Sequence, residues 1–210
     1  MAPPAPPFPS ADIRVEALRP ERRDDFLRFF DHERGLAFSD NPQWAKCYCH
    51  FYHVPENLDW AAFDADANRT AMRARIEVGE MEGFLAYAGD TVVGWVNAQP
   101  LNKLPHCWGR MGVPLPAADL PLWDMAAIVC FVIAPQWRRR GVARALLKGA
   151  LANLRDRGVR RVYAFPFNAA NDLRPAAHYH GPASLFREAG FVQDHVTADL
   201  ALVRLDMAAQ

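Results

Sequence analysis

The stretch PQWRRRGVARALL at 135–147 puts Arg138, Arg139 and Arg140 directly before Gly141 and an apolar helical run. A helix start already carries partial positive charge on its unpaired N–H groups, and it favours acidic neighbours. Three cations there make sense if a polyvalent anion sits on the turn. Gly141 and Ala143 are small enough for a ligand to reach the backbone. A diphosphate fits such a place, held by consecutive amides and guanidinium forks. The competing reading is a solvated basic turn with no ligand, its charges screened by salt.

The elements around this turn can be read from pattern. MAAIVCFVI (125–133) is apolar on both faces, as a central strand is. The helix 141–157 carries the stripe Val142, Leu146, Leu147, Leu151 and Leu154. RRVYAFPF reads as the next strand, 168–181 as a loop, ASLFREAG as a short helix, and FVQDHVTA and DLALVRLDM as two last strands. Ahead of these come a strand at 13–18, a helix opened by Pro20, and a short helix near 42–46. CYCHFYHV then reads as a strand and 57–80 as a helix with Val78 on its apolar face. A hairpin turns at Gly89-Asp90, and 100–123, with five prolines and two glycines, reads as a loop. The pattern predicts an α/β (α+β) fold with a mixed sheet and helices on both faces.

Composition bounds the function classes. The chain has 210 residues, half of them hydrophobic (51%), which is ample for a core. Twenty-four basic residues balance 24 acidic ones, which argues against nucleic acid or a membrane surface as partner. No apolar run approaches the roughly 20 residues that span a bilayer. MAPPAPPFPS lacks the basic and aliphatic regions of an export signal. Residues 1–10 are expected to be a Pro-rich disordered tail and 11–210 one domain. Cys47, Cys49, Cys107 and Cys130 are expected to be reduced thiols in the cytoplasm.

VIAPQWRRRGVARALL (132–147) resembles motif A of the GNAT superfamily of N-acetyltransferases, with Arg138, Gly141 and Ala143 at its Arg, Gly and Gly/Ala positions. LFREAGF (185–191) is similar to the superfamily's second landmark, and the sequence also resembles a subgroup with CYC, VGW and CFV landmarks. The resemblance implies a splayed central sheet with acetyl-CoA in the gap. Phe131, Val132 and Ile133 would pair with the pantetheine arm. The amides of Arg138, Arg139, Arg140, Gly141, Val142, Ala143 and Arg144 would hold the diphosphate. Asn168, with Asn171 as competitor, would touch the coenzyme. An amine acceptor, expected to be a small molecule, would attack the thioester directly. Its proton needs a base, and the oxyanion needs a donor.

One position departs from the family. Where many members carry a Tyr that protonates the leaving thiolate, this chain has Phe186, which the resemblance otherwise counts among the coenzyme contacts. Tyr179 in AHYHG is the candidate replacement, flanked by His178 and His180, which could titrate near neutral pH or be bystanders. Asp124 is a candidate base, or a solvated carboxylate at a strand start. Phe186 also keeps open a non-catalytic acyl-CoA-binding or sensing domain. Homodimerisation through the last strands is a further expectation from the resemblance.

CYCHFYH gathers two Cys and two His. As a strand it would put Cys47, Cys49 and His53 on one face and His50 on the other. C-x-C is a poor zinc chelate by itself, so no metal is expected, although His106-Cys107 could complete a set. Lining of an acceptor pocket and plain core packing are the other readings. Cys130, mid-strand with no charged neighbour, is not expected to be a nucleophile. Trp95, Trp108 and Trp123 are core or parts of an aromatic pocket for an amine.

Overall fold

The computed structural model describes residues 13–114, 119–167, 179–197 and 199–207. The expected tail at 1–10, and Asn168, Asn171 and His178, lie outside the described residues. Strands β1 (Ile13–Ala17), β2 (Phe84–Ala88), β3 (Thr91–Pro100), β4 (Met125–Ile133), β5 (Arg161–Ala164), β6 (Val192–Val196) and β7 (Ala201–Asp206) form one sheet in the order β1-β2-β3-β4-β5-β7-β6. Every pairing is antiparallel except β4 with β5.

Alternation along the strands divides the core in two. Phe84, Ala86, Val93 and Val96 turn to one face, where helix α4 (Val142–Asp156) buries Val142, Leu146, Leu147, Ala150, Leu151 and Leu154. Short helix α5 (Ala183–Glu188) adds Leu185 and Phe186 there. Leu85, Tyr87 and Trp95 turn to the other face, under helix α1 (Arg23–Phe30) and helix α2 (Ala65–Glu77). On α1, Phe26 packs edge-on against Trp95, with ring centroids 4.9 Å apart. The sheet is therefore mixed and covered on both faces, as the pattern predicts.

Three local readings are overturned. CYCHFYHV is not a strand: Tyr48 and Cys49 are left-handed at φ 46° and 59°, and a 3₁₀ turn follows at His50–His53. His50, Tyr52 and His53 are all buried there, so the alternation was read from a segment with no exposed side to alternate with. The helix read at 57–80 starts only at Ala65, because the Asp64 carboxylate caps it by accepting from Ala67 N at 2.8 Å. Val78 follows the last helical residue and is 72% exposed. The proline-rich 100–123 segment holds a helix, α3 (Cys107–Met111), closed by Gly112 at φ 62°.

The parallel pairing of β4 with β5 stops early. Met125–Ile128 pair with Arg161–Ala164, after which β4 runs on to Ile133 paired with β3 but no longer with β5. Two features explain the divergence. The register against β3 jumps from Asn97↔Cys130 to Ala98↔Ile128, leaving Val129 as an extra, bulged residue that bends β4. On the other side Pro166 has no N–H to extend the ladder. Among the described residues no helix is long and apolar enough to cross a membrane.

Helix α4 seats closely on the sheet at Gly149, where a β-carbon would lie 2.7 Å from Val15 Cγ1. Gly149→Leu should lift this contact and destabilise the fold by about 1–3 kcal/mol, read by urea unfolding. An unchanged midpoint would mean that α4 does not rest on β1.

Candidate functional site

A cavity of about 780 Å³ opens where β4 has lost its parallel partner. Phe131, Val132 and Ile133 form its floor, and residues 138–144 of the β4–α4 turn form one wall, from which Arg140 is missing. Tyr179, Gly181 and Leu185 form a second wall, and Phe38 and Asp40 reach over from the segment after α1.

The floor presents a short open edge. Ala134 N donates to Val93 O at 3.0 Å, so the even-numbered positions here face β3, and Phe131 and Ile133 face the gap. Phe131 N donates to Tyr179 O at 2.5 Å, and Ile133 O accepts from Arg138 Nε at 3.2 Å. Among the described residues, the Phe131 carbonyl and the Ile133 amide have no backbone partner.

The turn itself is built to expose amides. Arg139 and Gly141 are both left-handed, at φ 62° and 81°. Gly141 caps α4 without a side-chain acceptor, and Ala145 N is the first helical amide bonded back, to Gly141 O at 2.9 Å. The amides of Val142, Ala143 and Arg144 have no intrahelical acceptor and lie at the positive end of a 15-residue helix. Nothing bulky covers Gly141, since a β-carbon there would meet no atom within 4 Å.

The guanidinium groups do not converge as the sequence suggests. Arg138 forms a two-pronged ion pair with Asp40, one contact at 3.0 Å. Arg140 stacks over Trp137, 5.4 Å from the ring centroid, and lies off the cavity wall. Arg144 binds Glu188 at 2.6 Å. Arg139 lines the cavity. What the turn presents to the cavity is therefore first its backbone amides, with Arg139 beside them.

Two other sequence candidates fall outside the cavity. Phe186 is fully buried behind the wall, between the rings of Phe131 (6.0 Å) and Phe191 (5.3 Å), because α5 turns that position into the core. Asp124 sits at the opposite end of β4, roughly 20 Å from Phe131 at strand rise, and 3.8 Å from Arg160. That distance removes Asp124 as a base for this site.

Tyr179 does line the cavity. Its ring meets Trp44 edge-on at 4.8 Å and Phe167 at 5.4 Å. Burial, aided by nearby Cys130 and Cys47, pushes its phenol up to about 12. His180 anchors this segment: its Nδ1 donates to Val129 O at 2.9 Å, on the bulge. Burial pushes His180 down to about 4, so it is neutral with the proton on Nδ1.

The CYCHFYH residues take other roles. His50 Nδ1 meets Asn68 Oδ1 at 2.7 Å, and His53 lies 3.4 Å from Gln99 Nε2. His106 pairs with Glu56 at 3.1 Å, away from this cluster. Among the described residues no three His, Cys, Asp or Glu side chains are placed to hold a metal. Trp95 is core and Trp108 packs on Tyr163 and Phe165, whereas Trp123 is 68% exposed. Sequence reading missed Phe38 and Asp40, which line the cavity, and Trp44, which packs on Tyr179, since nothing local marks a loop residue whose place is set only by the tertiary fold.

A splayed sheet with an amide-rich turn at the end of its central strand suits a long, anionic ligand laid along a strand edge. The chain matches the acetyltransferase (GNAT) family over residues 43–181, and it belongs to that family of acyltransferases. No curated protein matches it significantly in sequence. Among solved structures it is similar to the PaiA N-acetyltransferase of Thermoplasma acidophilum in complex with coenzyme A. That pair shares 9% identity at a TM-score of 0.53, over 93% of this chain and 99% of that one. An N-acetyltransferase from Staphylococcus aureus Mu50 is similar at 15% identity and TM-score 0.53, over 93% and 98%. YncA from Salmonella typhimurium, solved with acetyl-CoA, is similar at 13% and 0.51, over 94% and 95%. These likenesses show the fold.

Two buried histidines give the fold a pH signature. His180 and His53 are pushed by burial from 6.5 to about 4 and about 3. The unfolded chain binds protons below about pH 6.5 that the folded chain refuses. Stability should therefore fall as pH drops from about 6.5 toward 4, with roughly two protons taken up on unfolding. His180→Asn should remove about one of them. Urea unfolding at pH 7 and pH 5 checks this, and a stability that holds or rises on acidification would refute it.

Proposed function

We propose that the protein transfers the acetyl group of acetyl-CoA to a small-molecule amine, within a ternary complex, by direct attack of the amine on the thioester. The observation that carries this reading is the continuous path from the open Phe131 carbonyl and Ile133 amide to the uncapped start of α4. That path offers strand-like hydrogen bonds for a pantetheine arm and free amides for a diphosphate.

Residue roles follow from placement. Phe131 and Ile133 orient the arm. The amides of Gly141, Val142, Ala143 and Arg144, with the side chain of Arg139, hold the diphosphate, while Arg138 keeps Asp40 at the rim. The thioester supplies the activated acetyl group. Tyr179 keeps its proton at neutral pH and sits at the wall beside Phe131, so its hydroxyl can protonate the departing thiolate in place of the tyrosine that Phe186 replaces. Phe38 and Tyr179, the latter backed by Trp44, provide aromatic faces that suit an amine. We place the protein in the cytoplasm, on its four free thiols.

A second reading, a domain that binds acyl-CoA without turnover, is favoured by the single substitution at Phe186. Release of free thiol from acetyl-CoA in the presence of a panel of primary amines separates the two. Turnover supports the enzyme, and binding without thiol release supports the sensor. Tyr179→Phe should lower turnover about 100-fold while leaving affinity for coenzyme A within about threefold. A variant as fast as the parent would remove Tyr179 as the proton donor.

A further inference from the structure

Asp40 meets Arg138 in the way a phosphate would. Its Oδ1 accepts from Nη2 of Arg138 at 3.0 Å, and its Oδ2 accepts from Nη1. Two oxygens against the two terminal nitrogens is also the geometry in which a guanidinium binds a phosphate. The partners are 98 positions apart, so the tertiary fold brings them together and no local turn requires the contact. Both side chains line the cavity, beside the amides of the β4–α4 turn.

The contact is built to be exchanged. Arg138 is held a second time, through Nε to Ile133 O at 3.2 Å. Loss of Asp40 would free Nη1 and Nη2 while the guanidinium stayed on the cavity wall. Among the described residues the Asp40 carboxylate has no partner besides Arg138. The Arg138 and Asp40 side chains are 22% and 38% exposed, and an ion pair so open to water is a weak one.

Asp40 cannot drift away when it yields. Asn41 N donates to Phe38 O at 2.9 Å and closes a turn around Asp40. Phe38 leans on Phe30, with centroids 5.9 Å apart, and Trp44 beyond the turn packs on Tyr179. The carboxylate therefore stays close to the fork at high effective concentration and can take it back. Glu188, the second acidic residue of the cavity, is placed less well. It makes a single contact with Arg144, and both side chains are mostly exposed, so water and salt weaken it further.

The reaction gives such a rival a use. Acetyl-CoA and its product, free coenzyme A, carry the same diphosphate. A turn that gripped it too well would retain the product and block the next donor, and product release sets the rate of many enzymes. A tethered carboxylate opposes that grip by claiming the fork and by like charge. We propose that Asp40 is a release residue: it contests the Arg138 fork with the coenzyme's diphosphate and keeps binding loose enough for coenzyme A to leave after each transfer. This inference rests on the acetyl-CoA reading of the cavity.

The test compares the full-length parent, Asp40→Asn and Asp40→Glu by calorimetry with coenzyme A and with pantetheine, and by stopped-flow dissociation of coenzyme A. Asp40→Asn should bind coenzyme A about fivefold tighter at low salt, nearly all of it through slower dissociation. The gain should shrink at high salt. Pantetheine, which has no diphosphate, should bind the parent and Asp40→Asn alike. Asp40→Glu keeps the charge and should stay within about twofold of the parent. A carboxylate that only tethered the rim would give no tightening. Coenzyme A bound no more tightly by Asp40→Asn than by the parent would overturn the proposal and leave the acetyl-CoA reading standing, as would equal tightening of pantetheine. Coenzyme A bound by none of the three proteins would overturn both.

Discussion

Pairing between β4 and β5 lasts four residues and then fails, and every feature of the cavity follows from that failure. Had the ladder continued, the Phe131 carbonyl and Ile133 amide would be spent on β5, and the β4–α4 turn would face protein instead of space. Strand edges are normally covered because unpaired backbone groups invite other chains. Here the edge is short and lies inside a sheet, between a bulge at Val129 and a proline at 166. Tyr179 and His180 cover its first part, through Phe131 N and Val129 O. What remains is a slot for a ligand that behaves like a strand.

The division of labour at the turn differs from what the arginine run suggests. A guanidinium fork is the natural partner of a phosphate, yet Arg138 spends its fork on Asp40 and its Nε on the end of β4. That arrangement ties the segment after α1 to the mouth of the cavity. In the proposed function, anion reception then falls to amides, which lose no side-chain entropy on binding and whose direction is set by two left-handed residues. The positive charge of Arg139, and of Arg140 poised over Trp137, adds a favourable field.

Much of this was legible in the sequence and some was not. The double-faced apolar run at 125–133 and the 3.6-residue stripe of 142–156 fix β4 and α4, and through them the place of the turn. Gly141 marks the helix start because a left-handed cap is needed there. The 47–53 segment was misread because buried residues on every side imitate strand alternation. Asp124 and Phe186 could be placed only by knowing which end of β4 faces the cavity and which way α5 turns. Asp40 and Trp44 carry no local signal, since their role depends on where the chain after α1 returns. Family membership sharpened the reading of the turn but left the acceptor and the proton donor to be argued from side chains.

The account stands on recognition of a diphosphate by the turn's amides. Calorimetric titration of the protein with coenzyme A, and separately with pantetheine, which lacks the nucleotide diphosphate, tests it most directly. The account predicts clear binding of coenzyme A and affinity weaker by about 100-fold or more for pantetheine, a difference of roughly 3 kcal/mol. Equal affinity for the two would contradict it.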